Sequence, residues 1–132
     1  MEHRDALNAT QVRELLEGDE EVALLDVRQP LDFADRHLPT ASNVPVDDPE
    51  FEARVRHIVP PEAIVIVYAE RGSDADERGA ARLEAMGDEN VARFDGGLQA
   101  WKEAGFDWAS RLAQPEFDAR PVATGGSGPR GN

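Results

Sequence analysis

The chain has 132 residues, enough for one core of ordinary size and few for two. Cysteine is absent, which excludes disulfides, thiolate metal sites and any thiol chemistry supplied by the chain itself. A net charge of -13 argues against nucleic acid and membrane surfaces as partners, since both require cationic footprints.

In chain order, Thr10 is the expected cap of a helix through "QVRELLEG", with Val12, Leu15 and Leu16 on one face and Gly18 at its end. "EVALLDV" is a short apolar run bounded by polar residues, the pattern of a strand buried on both faces. Pro30 suits the first turn of a short helix through "LDFADR"; Pro39 then forces an extended exit into a strand, "ASNVPV". "PEFEARVRHI" has helical spacing, with Phe51, Val55 and Ile58 on one side. "AIVIVYA" is the strongest strand, and the helix through "DERGAARLEAMG" turns Ala80, Leu83 and Met86 inward and stops at Gly87. "NVARFDGG" reads as the last strand and "LQAWKEAG" as the last helix, ended by Gly105. Strands alternating with helices imply parallel pairing, so the class is α/β. Residues 1–112 are read as the folded domain and 113–132 as a C-terminal extension, with a flexible Gly- and Pro-rich tail from about residue 123. No run approaches the roughly 20 apolar residues that span a bilayer, and the N-terminus lacks the apolar core of a signal peptide, so the cytoplasm is the expected compartment.

Where a strand of a parallel sheet empties into a helix, free amides and the helix dipole favour an anion. After "IVIVYA", however, Glu70, Asp74, Asp76 and Glu77 outnumber Arg71 and Arg78. The expectation is that Asp74 or Asp76 caps the helix and takes the donors an anion would use. Asp26 and Arg28, at the end of another strand, read as a catalytic pair or, more simply, a structural ion pair. His37 is a general base or a hydrogen-bonded residue fixing the loop before Pro39. His3, His37 and His57 are scattered without metal-ligand spacing, so neither a metal nor a cofactor is expected. Ser73 and Ser110 lack a nucleophile motif, and Ser73 reads as a loop hydrogen-bonder. Trp101 reads as core, and Trp108 as a cover for the sheet edge.

These blocks, in this order, resemble the single-domain rhodanese homology family, whose active members carry sulfur as a cysteine persulfide. "LLDVRQPLDFADRHLPTASNVPV" is similar to its N-terminal signature and "GGLQAWKEAGF" to its C-terminal one; with "IVIVYA" and "GAARLEAMG" the likeness covers about residues 10–106. The resemblance implies an open, mostly parallel central sheet with helices on both faces, and structural motif positions at Asp26, Arg28, His37, Gly96, Gly97 and Trp101. It also puts Ala69 where the family's cysteine stands, heading a degenerate loop of Ala69, Glu70, Arg71, Gly72, Ser73, Asp74, Ala75 and Asp76. The family's Arg and Ser before the helix are replaced by Asp74, Ala75 and Asp76. The implied role is a catalytically inactive module that acts by binding or as a regulator, with a protein partner expected at this loop rim and Arg71 available for an acidic group; the oligomeric state is left open. The rival is a sulfurtransferase whose cysteine was replaced artificially or is supplied by a partner, and a third reading is a phosphate-binding relative of phosphatases.

Overall fold

The computed structural model describes residues 6–110. Five strands form one sheet in the order β1-β5-β4-β2-β3, and every pair within it is parallel. The strands are β1 (Ala6–Leu7), β2 (Val22–Asp26), β3 (Ser42–Asn43), β4 (Ile64–Tyr68) and β5 (Val91–Phe94). The helices are α1 (Ala9–Glu17), α2 (Pro30–Asp35), α3 (Phe51–Ile58), α4 (Ala75–Ala85) and α5 (Gly97–Glu103).

β4 shows why the sheet is central. All five of its residues are buried, and strand alternation sends them to opposite faces. Val65 and Val67 pack with Phe51, Val55, Ala80 and Leu83 from α3 and α4. Ile64, Ile66 and Tyr68 pack with Ala9, Val12, Leu98 and Trp101 from α1 and α5. An apolar run without polar interruption is therefore what two covered faces require. At Gly79 a Cβ would stand 3.1 Å from Val67 and 3.2 Å from Val27, so the missing side chain lets α4 lie close against the sheet.

Four expectations about local structure need correction. Asn8, not Thr10, caps α1: its carboxamide oxygen accepts from the Gln11 amide at 2.8 Å, and the Gln11 side chain accepts from the Asn8 amide at 2.8 Å. This reciprocal box satisfies two helix-end donors, which a cap at Thr10 would leave open. β3 is only two residues long, although the Val44 and Val46 amides beyond it still donate to the Asp26 and Val27 carbonyls at 3.0 and 3.1 Å. Ile58 is 36% exposed; Val59, one residue beyond α3, reaches the core instead. β1 adds a fifth strand at the edge, pairing Ala6 with Arg93 and Leu7 with Phe94. Among the described residues no helix is long and apolar enough to cross a membrane. The extension expected from residue 113 lies outside the described residues.

Candidate functional site

From β2 the chain moves outward to β3, and from β4 it moves the other way to β5. The C-terminal ends of β2 and β4 therefore flank the point where the strand order reverses, where sites in open α/β sheets form. Asp26 and Arg28 lie on one side of that crevice and the loop from Ala69 on the other.

Asp26 is fully buried and Arg28 nearly so. The Arg28 guanidinium donates to both carboxylate oxygens of Asp26, at 2.8 to 3.2 Å, and to Glu70 at 3.3 Å. It also donates to the Arg36 carbonyl, while the Arg28 amide returns to Asp26 at 3.0 Å. Burial works against the charge, but hydrogen bonding and attraction from Asp26 hold the Arg28 pKa above its ordinary value. With each guanidinium nitrogen directed at a protein acceptor, the pair clamps a loop.

Tyr68 completes this network. Its hydroxyl accepts from the Leu38 amide at 3.0 Å. Burial, reinforced by the charge of Asp26 and a hydrogen bond to it, pushes the phenol pKa well above its ordinary 10.0. A pKa raised on folding means the native state holds the proton more tightly than the unfolded chain. The stabilisation is complete below 10.0 and lost as pH climbs beyond it. Tyr68→Phe is expected to cost about 1–2 kcal/mol at neutral pH, because the Leu38 amide loses its acceptor, and to flatten the alkaline decline. Urea unfolding as a function of pH checks this, and with a single tyrosine in the chain, phenolate absorbance reports on Tyr68 alone.

On the other side, β4 delivers Ala69, only 2% exposed, to the start of the loop. A Cβ on Gly97 would stand 1.8 Å from the Ala69 carbonyl oxygen, so the two backbones touch in a way only glycine permits. Gly96 precedes it with φ 88° and turns β5 into α5. The Ser73 amide donates to the Glu70 carbonyl at 3.0 Å, closing a turn through Gly72 at φ 87°. Arg71 is tied to α5 twice: its amide to Gln99 at 3.0 Å, its guanidinium to both oxygens of Glu103 at 3.0 and 2.7 Å. The expectation that Arg71 is available for an acidic group is thus corrected, because Glu103 already holds it.

The expected self-capping of α4 also fails. Asp74 occupies the cap position without a side-chain cap bond; its φ of -98° and ψ of 6° depart from the extended backbone that aims a capping side chain. Its carboxylate pairs with Arg78 at 3.2 Å, and Arg78 reaches Asp47 at 2.8 Å. Asp76, 7% exposed, pairs with Arg93 at 3.1 Å. The Ser73 hydroxyl accepts from the Ala75 amide at 3.0 Å, in keeping with its reading as a loop hydrogen-bonder.

The loop borders a depression of about 320 Å³ that also takes in Arg93, Asp95, Gly96 and Gly97. Five carboxylates (Glu70, Asp74, Asp76, Glu77 and Asp95) line it against two guanidinium groups, Arg71 and Arg93. Arg93 and Asp95 escaped the sequence reading. The parallel pairing of Val67 with Arg93 brings the end of "VARFDGG" beside the end of "IVIVYA", so strand adjacency was the signal.

The remaining candidates lie away from this depression. His37 stacks on Phe33 at 4.0 Å, with Nδ1 2.8 Å from the Phe33 carbonyl, and its backbone bridges to Ala109. Trp101 is core, its indole N–H donating to the Asp107 carbonyl at 2.8 Å. Trp108 packs against the α1 and α5 side of the core, flanked by Arg36 at 4.7 Å and Lys102 at 5.1 Å. The Ser110 hydroxyl donates to the Ala34 carbonyl at 3.3 Å. Among the described residues no three His, Asp or Glu side chains converge as metal ligands, and His3 lies outside them.

Comparison with known proteins places this architecture. An uncharacterized Synechocystis protein, slr1261, is 30% identical over 93 residues, 68% of this chain; the chain spans about half (48%) of the length of that curated relative. The crystal structure of a thiosulfate sulfurtransferase from Pseudomonas aeruginosa is 32% identical with a TM-score of 0.71, over 83% of this chain and 20% of that one. The rhodanese-like domain of the Anabaena protein Alr3790 shares the fold at 23% identity, with a TM-score of 0.69 over 100% of this chain and 98% of that one. The rhodanese-like domain profile matches residues 8–104, and with this sheet and these helices the chain belongs to the rhodanese-like domain family.

Proposed function

We propose that the chain is a catalytically silent rhodanese-like module that works by binding a protein partner at the rim from Ala69 to Asp76. One observation carries the reading: the first residue after β4 is Ala69, whose methyl group borders a depression where carboxylates outnumber guanidinium groups five to two. A methyl group cannot attack thiosulfate or hold a sulfane sulfur. The surrounding charge disfavours an anionic donor as well. Because Arg71 and Arg93 are already paired with Glu103 and Asp76, the rim offers a partner mainly carboxylates, and the complementary surface is cationic.

The purified chain is expected to form no thiocyanate from thiosulfate and cyanide, with or without an added small thiol. As bait, it is expected to retain a native partner that an Asp74→Arg, Glu77→Arg variant of equal stability loses. Turnover by the unaltered chain sinks the reading, and so does a partner indifferent to the two substitutions.

A further inference from the structure

Asp95 and Gly96 form the single Asp-Gly pair in the chain, which has no Asn-Gly pair either. They turn β5 into α5 on the border of the depression that also takes in Ala69. The turn is anchored on both sides: the Asp95 amide donates to the Leu7 carbonyl at 3.2 Å, and the Gly96 carbonyl accepts from the Ala100 amide at 3.2 Å. Between these anchors the Gly96 amide donates no hydrogen bond among the described residues. The Asp95 side chain is exposed, and its carboxylate, held by no hydrogen bond or ion pair among the described residues, acts on Arg71 through space.

An unengaged amide nitrogen next to an unengaged carboxyl group is a pair of reactants. Attack of the Gly96 nitrogen on Asp95 Cγ closes a five-membered ring, and glycine has no Cβ to obstruct the approach. In the protonated carboxyl the new N–Cγ bond forms as the Cγ–OH bond breaks, and the hydroxyl leaves with the amide proton as water. Water then reopens the cyclic imide. Where it breaks the bond between the Gly96 nitrogen and the α-carbonyl carbon, the main chain runs on through Cβ and Cγ and the former α-carbonyl becomes the free carboxylate. The product, isoaspartate, lengthens the backbone by one carbon, about 1.5 Å. The next residue is Gly97, whose backbone lies so close to the Ala69 carbonyl that a Cβ would stand 1.8 Å from the oxygen, so the inserted carbon disturbs the contact that joins the loop to α5.

We propose that Asp95 is a self-modification site, which converts to isoaspartate in the folded domain and thereby loosens the seam between the loop after β4 and α5. The full chain, held below its melting temperature near neutral pH with a second sample unfolded in urea, is probed with an isoaspartyl methyltransferase and a labelled methyl donor. Label is expected to accumulate in the folded chain, at least about tenfold more at position 95 than at any other aspartate. The tryptic peptide Phe94–Lys102 locates it, since that peptide holds no other aspartate. Asp95→Glu, whose longer side chain would have to close a six-membered ring, is expected to lose this label. Separated by chromatography, the modified fraction is expected to melt at least about 4 °C below the unmodified one, and the same ageing is expected to leave the Tm of Asp95→Glu unmoved. Label confined to the urea-unfolded sample overturns the proposal, as does label spread evenly over the aspartates or a modified fraction that melts with the unmodified one.

Discussion

An Ala69→Cys variant will carry a thiol at the end of β4 and still transfer sulfur at least about a thousandfold more slowly than an active sulfurtransferase. The nucleophile is the thiolate, and an unperturbed cysteine is only a few per cent ionised at neutral pH. The depression holds three more carboxylates than guanidinium groups. At about 7 Å and an effective dielectric constant of roughly 80 to 40, each uncompensated charge costs a thiolate about 0.6 to 1.2 kcal/mol. Three of them cut the ionised fraction by about 20- to 400-fold. Thiosulfate is itself a dianion and meets the same field, which carries the deficit past a thousandfold. Thiocyanate production measures the rate, and mass spectrometry detects any persulfide on the new cysteine. A rate near that of an active family member would show that loss of the sulfur atom was the whole difference and would refute the charge argument.

Gly97→Ala is expected to destabilise the domain by at least about 3 kcal/mol, a large part of the 5–15 kcal/mol that holds a typical domain together. The added carbon would stand 1.8 Å from the Ala69 carbonyl oxygen and 2.9 Å from its carbon, both backbone atoms with no rotamer to retreat into. Gly96→Ala makes a useful control. Its nearest clash is 2.7 Å from the Ala100 methyl group, so the expected loss is smaller despite the larger φ of 88°. Thermal unfolding of both variants decides the order. A Gly97→Ala protein melting within a few degrees of the parent would mean that the loop and α5 do not meet in this way.

The sheet and its helices were legible because their signals are local. An apolar run such as "IVIVY" needs no knowledge of its neighbours, and Gly18, Gly87 and Gly105 each mark a helix end from within the sequence. β1 was not legible: two residues, Ala6 and Leu7, have no period, and only pairing with β5 makes them a strand. The cap of α1 was misplaced at Thr10, and the reciprocal bond between Asn8 and Gln11, which starts the helix two residues earlier, corrects it. At the candidate site, the sequence disclosed Ala69 and the excess of acid. It could not disclose their pairing. Arg71 meets Glu103 across 32 positions, and whether Asp74 caps or pairs with Arg78 depends on a backbone angle.

The course of the loop after β4 is set by main-chain contacts: the Glu70 carbonyl with the Ser73 amide, and Ala69 against Gly97. Neither contact consults the side chains at positions 69, 70 or 74. Contour and side-chain chemistry are therefore separable at these positions. Gly97 thus governs the shape of the rim whatever residues decorate it.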